Sequence, residues 1–217
     1  MTIAIICAGG PSEDVIDFTS YSKEQTIFIG ADRGALHLLN AGIIPNEAVG
    51  DFDSVSKTDY EKIKRTVELV ETVKAEKNET DTELALERAL SYRPSEVIFT
   101  GVTGGRIDHM YSNLQLLYRA QMTLPTIKFK IMNQTNELVI FTPGTHIIEQ
   151  QAHLQYISFF AFNESIDALT LQNFKYETNQ EPLAIGTTRF TSNELVAEAG
   201  SIHFTNGICL MVRSSDV

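Results

Sequence analysis

Thr2-Ile3-Ala4-Ile5-Ile6-Cys7-Ala8-Gly9-Gly10-Pro11 is an apolar run that stops at two glycines and a proline. A strand with no polar position is buried on both faces, as happens in a parallel sheet covered by helices on each side. The glycines then mark its carboxyl end, the edge at which open α/β sheets bind ligands. The pattern recurs outward from this run. Thr26-Ile27-Phe28-Ile29-Gly30 passes through Ala31-Asp32-Arg33-Gly34 into a helical stretch from Ala35 to Asn40, with Gly42 placed to end it. Val97-Ile98-Phe99-Thr100 empties into Gly101-Val102-Thr103-Gly104-Gly105-Arg106-Ile107-Asp108-His109, and a helix with Met110, Leu114 and Leu117 on one face follows.

Gly50-Asp51-Phe52-Asp53-Ser54 sets two carboxylates two residues apart. In an extended backbone the side chains at i and i+2 point the same way, so Asp51 and Asp53 can converge while Phe52 turns into the core. Paired anions need a cation, and hard oxygen donors suit Mg²⁺, which takes one or two carboxylates and completes its shell with water and substrate phosphates. The same residues also suit a polar turn that bonds nearby backbone amides. Asp32 either caps the helix after it or touches a ligand at the same edge. In Lys77-Asn78-Glu79-Thr80-Asp81-Thr82-Glu83, Thr80 and Glu83 have the spacing of a capping box. Asp81 then falls in the first helical turn, where the helix dipole favours an acid.

Glycines between a strand and a helix N-terminus let backbone amides approach phosphate closely. Gly104 and Gly105 stand in that place, and Arg106 adds a permanent cation with fork geometry. The loop has neither the Gly-Lys-Ser/Thr ending of a Walker A motif nor the Gly-x-Gly-x-x-Gly spacing. Asn113, a poor residue for a helix interior, is predicted to have a polar partner.

The chain of 217 residues is long enough for a large domain or for an ordinary one with a small partner. Its formal net charge of −11 excludes a nucleic-acid reader, because no basic stripe is present to replace counterions. No apolar run approaches the roughly 18 residues of a membrane span. The first run lacks a basic leader and reads as a strand rather than a signal peptide, so a cytoplasmic protein is expected. Cys7 and Cys209 lie in apolar runs and are expected buried and reduced. The sequons at Asn78, Asn133 and Asn163 are then chance matches.

After Pro125 the texture changes to short strand-like runs: 127–132, 137–141, 146–149, 156–162, 168–174, 201–204 and 208–212, with Thr205-Asn206-Gly207 read as a hairpin turn. The expected architecture is α/β plus β: a mostly parallel α/β sheet domain over 1–141, and a smaller antiparallel β-sandwich domain over 142–217. A β domain of about 75 residues has a thin core and is expected to pack on the first domain or on a second copy of the chain. A polar cluster, Thr187-Thr188-Arg189-Phe190-Thr191-Ser192-Asn193, interrupts its strands.

With Gly50-Asp51-Phe52-Asp53-Ser54, Thr80-Asp81, Gly104-Gly105-Arg106-x-Asp108-His109-x-x-x-Asn113 and Thr191-Ser192-Asn193 in this order, the chain resembles the thiamine pyrophosphokinase family over nearly its whole length. The resemblance implies transfer of the pyrophosphoryl group of ATP to the hydroxyl of thiamine, giving thiamine diphosphate and AMP, with Mg²⁺. It implies a homodimer in which the β domain of one chain and the α/β domain of the other enclose the substrate. It also implies that Asp51, Asp53 and Asp81 hold Mg²⁺, while Thr80, Gly104, Gly105, Arg106, His109 and Asn113 serve the nucleotide. Asp108 would orient or deprotonate the attacking alcohol, or complete the metal shell. Thr191, Ser192 and Asn193 would fall in the thiamine pocket. The chain has no tryptophan, so any aromatic contact to the substrate must come from Phe or Tyr.

Two other functions fit the same residues. A pyrophosphokinase acting on another small alcohol, such as a hydroxymethylpterin, would share the ATP and metal site. A nucleotide or metabolite sensor would share the scaffold without turnover, although it has no need of the full acidic set.

Overall fold

The computed structural model describes residues 2–74, 76 and 79–216. Lys77 and Asn78, which open the Lys77–Glu83 segment and hold one of the sequons, lie outside the described residues. The chain divides into two compact units, Met1–Gln134 and Thr135–Val217.

The first unit alternates strands and helices: β1 (Ile3–Cys7), β2 (Thr26–Ala31), α1 (Gly34–Asn40), β3 (Glu47–Gly50), α2 (Lys57–Thr66), β4 (Leu69–Thr72), α3 (Asp81–Ser91), β5 (Glu96–Thr100), α4 (Ile107–Thr123) and β6 (Lys128–Met132). Its strands run in the order β4-β3-β2-β1-β5-β6, and every pairing is parallel. The order reverses direction between β1 and β5, which opens a crevice beyond their carboxyl ends. Apolar strand residues account for this arrangement: Ile5, Cys7, Phe28 and Ile98 pack with Val15, Ile16, Phe18 and Leu38 on one side of the sheet. Ala48, Phe52, Ile63 and Val67 form a second cluster that fastens α2. On α4 the buried residues are Leu116, Leu117 and Ala120. Met110, expected on the apolar face, is 38% exposed, since α4 buries only residues of its later turns.

The second unit holds β7 (Asn136–Phe141), β8 (Gly144–Glu149), β9 (Tyr156–Ala161), β10 (Ile166–Gln172), β11 (Thr178–Leu183), β12 (Ala199–Phe204) and β13 (Cys209–Ser214). Antiparallel β7-β13-β9 and antiparallel β11-β10-β12-β8 enclose one core of Phe159, Met211, Ile166, Leu169, Ile202 and Phe204. This is the expected sandwich.

Two strand-level expectations need correction. Thr205-Asn206-Gly207 does not close a hairpin, because β12 and β13 lie in opposite sheets. The Asn206 side chain instead bonds the Asp167 amide and the Ser165 carbonyl, so the turn carries the chain across the sandwich. β11, Thr-Asn-Gln-Glu-Pro-Leu, has too few apolar residues to be read as a strand; it pairs only with β10, at a sheet edge where polar residues and proline are tolerated.

Candidate active site

The carboxyl ends of β2 and β3 build the acidic group. Parallel pairing of Ala31 with Val49 brings the loops after the two strands side by side, and the Asp32 amide donates to the Val49 carbonyl at 2.8 Å. Gly50 has φ +156°, and a Cβ on it would stand 3.0 Å from the Asp32 Cα, so only glycine permits this approach. Asp32, Asp51 and Asp53 each place a carboxylate oxygen within 4.8 Å of the others. Asp51 and Asp53 converge by a turn rather than along an extended strand: Phe52 takes φ +56°, and the Asp53 amide donates to Asp51 Oδ1 at 3.1 Å. Phe52 is buried as expected, its ring tilted by 36° against that of Tyr60 at 5.1 Å between centroids. Burial of that ring offsets the cost of a left-handed backbone at a bulky residue.

Of the two readings of Asp32, the structure removes the helix cap. Arg33, not Asp32, is the N-cap position of α1, and no side chain caps that helix. The Asp32 carboxylate turns to the acidic group, where Ser54 Oγ donates to its Oδ2 at 2.5 Å. Its Oδ1 is enclosed and has no hydrogen-bond partner among the described residues. Burial pushes the Asp32 carboxyl above the usual range, the Ser54 hydroxyl and the Arg33 amide oppose this, and the charges of Asp81 and Asp51 push it further up. Crowded oxygens with one unmatched lone pair are a donor set that a hard divalent cation fits.

Asp81 lies outside the 4.8 Å group, but its charge reaches Asp32. It is the first residue of α3, held by the expected capping box: Thr80 Oγ accepts the Glu83 amide at 3.2 Å, and Glu83 accepts the Thr80 amide at 2.8 Å. Burial pushes the Glu83 carboxyl up, but the Thr80 amide and the Arg119 guanidinium hold it below its ordinary value.

The loop after β5 supplies the donors. Gly104 and Gly105 have φ +76° and +62°, and a Cβ on Gly104 would fall 1.9 Å from Asp14 Oδ2. With no side chains at these two positions, the loop backbone can approach a phosphate closely ahead of the helix. The 17-residue helix α4 starts directly after them without a side-chain cap, which leaves further amides at its N-terminus. Arg106 grips Asp108 through two bonds, Nε to Oδ1 at 3.1 Å and Nη2 to Oδ2 at 2.6 Å. This pairing holds the Asp108 carboxyl down at about 2. The His109 amide also donates to Asp108, and Asn113 finds its polar partner in the His109 carbonyl at 2.9 Å. His37 bonds the Gly10 carbonyl through Nε2 at 2.9 Å and so ties α1 to the loop after β1.

In the second unit, Thr191, Ser192 and Asn193 lie on one connection. Thr191 and Ser192 are exposed, and Ser192 takes φ +56° with its amide on Ser158 Oγ at 3.0 Å. Asn193 is buried.

Residues 18–129 match the family described as thiamin pyrophosphokinase, catalytic domain. Residues 145–209 match thiamin pyrophosphokinase, vitamin B1 binding domain. The thiamine pyrophosphokinase of Bacillus subtilis (strain 168) is 42% identical over 211 residues, covering 97% of this chain and 98% of that protein. A crystal structure of thiamine pyrophosphokinase from Bacillus subtilis superposes with a TM-score of 0.92, at 42% identity over 100% of both chains. The thiamin pyrophosphokinase of Geobacillus thermodenitrificans gives a TM-score of 0.89 at 34% identity, over 100% of this chain and 98% of that one.

Proposed function

The chain belongs to the thiamin pyrophosphokinase family, and we propose that the residues just described carry that family's reaction. It transfers the pyrophosphoryl group of ATP to the hydroxyl of thiamine, giving thiamine diphosphate and AMP. The observation that carries the residue assignment is the group of three carboxylates at the ends of β2 and β3. Asp32, Asp51 and Asp53 hold Mg²⁺, and Asp81 adds to the negative field around Asp32. When bound there, Mg²⁺ neutralises polyphosphate charge and lets the crowded acids stay ionised together.

The amides of Gly104, Gly105 and the first turn of α4 bind phosphate oxygens. Arg106 has five N–H donors and commits two of them to Asp108, so the rest of its fork can hold a phosphate while Asp108 keeps it oriented. A carboxylate with a pKa of about 2 is a weak base. Phosphoryl transfer through a loose transition state asks for little proton abstraction before attack, and positioning therefore outweighs base strength. Thr80, His109 and Asn113 complete the nucleotide set at the starts of α3 and α4, and Thr191, Ser192 and Asn193 belong to the thiamine pocket of the β unit.

The proposal includes a homodimer and a cytoplasmic setting. Ile107, Met110 and Tyr111 form an exposed apolar stripe on the first turns of α4, at 77%, 38% and 59% exposure, which pairing of two chains would cover. Cys7 and Cys209 are buried free thiols, as suits a reducing compartment. Among the described residues, no helix is long and apolar enough to cross a membrane. A pterin alcohol as acceptor, or a sensor without turnover, is not favoured, since the family matches and both relatives are thiamine pyrophosphokinases.

Phosphorus NMR of the chain with ATP, Mg²⁺ and thiamine tests the reading. AMP and thiamine diphosphate in equal amounts are expected. ADP with a monophosphate ester would overturn it.

A further inference from the structure

The residue between Asp51 and Asp53 is left-handed, and such a backbone at a phenylalanine persists only where its surroundings enforce it. Around Phe52 those surroundings form a closed circuit. Its ring, 5% exposed, lies against the ring of Tyr60 on α2. The Tyr60 hydroxyl shares a hydrogen bond of 2.7 Å with Thr72 Oγ1 at the end of β4. Thr72 stands opposite Gly50 in the parallel pairing of β3 with β4, and the next amide, that of Val73, donates to the Gly50 carbonyl at 3.0 Å. Gly50 leads directly into Asp51, so the circuit returns to the acidic loop.

Tyr60 joins the two halves of this circuit, with its ring on the acidic loop and its hydroxyl on an edge strand. It has a fixed base, because Ile63, on the same face of α2, is fully buried. Lys64 covers the ring from the solvent side, with Nζ 4.7 Å from its centroid and paired to Glu61 at 2.6 Å. Were Phe52 to relax to negative φ, the chain beyond it would turn, and the bond from the Asp53 amide to Asp51 Oδ1 would be lost.

We propose that Tyr60 is a positioning residue for the divalent cation: it holds Phe52 in the left-handed conformation that aims the Asp51 and Asp53 carboxylates at one point. The inference rests on the reading of Asp32, Asp51 and Asp53 as the Mg²⁺ site. Tyr60 takes no part in the transfer itself and acts through the backbone of Phe52.

Mn²⁺ binds hard oxygen donors as Mg²⁺ does, and its free form is read by electron paramagnetic resonance as it is titrated into the chain without nucleotide or thiamine. Tyr60→Ala, with folding checked by circular dichroism, is expected to weaken Mn²⁺ binding about tenfold, as for loss of a residue that orients metal ligands. Tyr60→Phe, which keeps the ring and loses the hydroxyl, recovers most of that affinity. In steady-state assays the Mg²⁺ midpoint of Tyr60→Ala rises in the same proportion, while the KM for thiamine is unchanged. Phe52→Gly supplies a residue that takes positive φ freely, so adding Tyr60→Ala to it produces no further loss. Unchanged Mn²⁺ affinity in Tyr60→Ala, or losses that add in the double variant, overturns this inference alone. If Tyr60→Ala fails to fold, Tyr60→Leu, which keeps more of the packed volume, takes its place with the same two outcomes. An unaltered chain that binds no Mn²⁺ overturns the metal-site reading, and this inference with it.

Discussion

Asp108 shows how a neighbour decides what a carboxylate can do. Bound by two nitrogens of Arg106, it is ionised at every pH above about 2. A depressed carboxyl loses its charge only as pH falls through that value, so Asp108 contributes no ionisation to kcat/KM anywhere near neutrality. The expected pH profile of Asp108→Asn therefore has the shape of the unaltered chain's, lowered in height because Arg106 has lost its anchor. A limb near about pH 6 that disappears in Asp108→Asn would show that the carboxylate works as a base after all. At this scale much of the site was legible. Asp51 and Asp53 reveal themselves by spacing, and Gly104, Gly105 and Arg106 by their place between a strand and a helix. Asp32 did not, because one acid ahead of a short helix reads equally well as a cap; only the Ala31–Val49 pairing, 18 residues apart in sequence, shows it beside Asp51. The left-handed Phe52 was also hidden, since a bulky residue carries no local signal for positive φ.

At the scale of elements, α3 begins at a capping box that four residues specify. Thr80→Ala removes the acceptor for the Glu83 amide and is expected to cost about 1 kcal/mol. In thermal unfolding followed by circular dichroism, that is a loss of roughly 2–4 °C for a chain of this size. An unchanged melting curve would mean that α3 is held by its packing on β1, β2 and β3 alone. The central parallel strands β1, β2 and β5 were legible for the same local reason: each is an apolar run bounded by turn residues. β11 and the β12–β13 connection were not. A strand at a sheet edge needs no apolar face, and a turn of hairpin composition does not reveal whether its flanking strands share a sheet. β7 likewise takes its partner β13 from the far end of the chain, with Asn136 opposite Ser214, a pairing that no local pattern announces.

At the scale of the whole molecule, a chain of net charge −11 must bring a polyphosphate to a cluster of acids. That demand makes a divalent cation the centre of the account. The proposed homodimer belongs to this scale too. Light scattering is expected to give twice the 24.2 kDa chain mass, and Ile107→Glu with Tyr111→Glu should shift the protein toward monomer by placing charges on the apolar stripe of α4. A monomeric unaltered chain would leave that stripe without the proposed cover. The most direct measurement is turnover against Mg²⁺ concentration for Asp32→Asn beside the unaltered chain, with folding checked by circular dichroism. The account predicts an intact fold and a Mg²⁺ midpoint raised by about 10–100-fold, as for loss of a metal-site partner. An unchanged midpoint with unchanged turnover would contradict it.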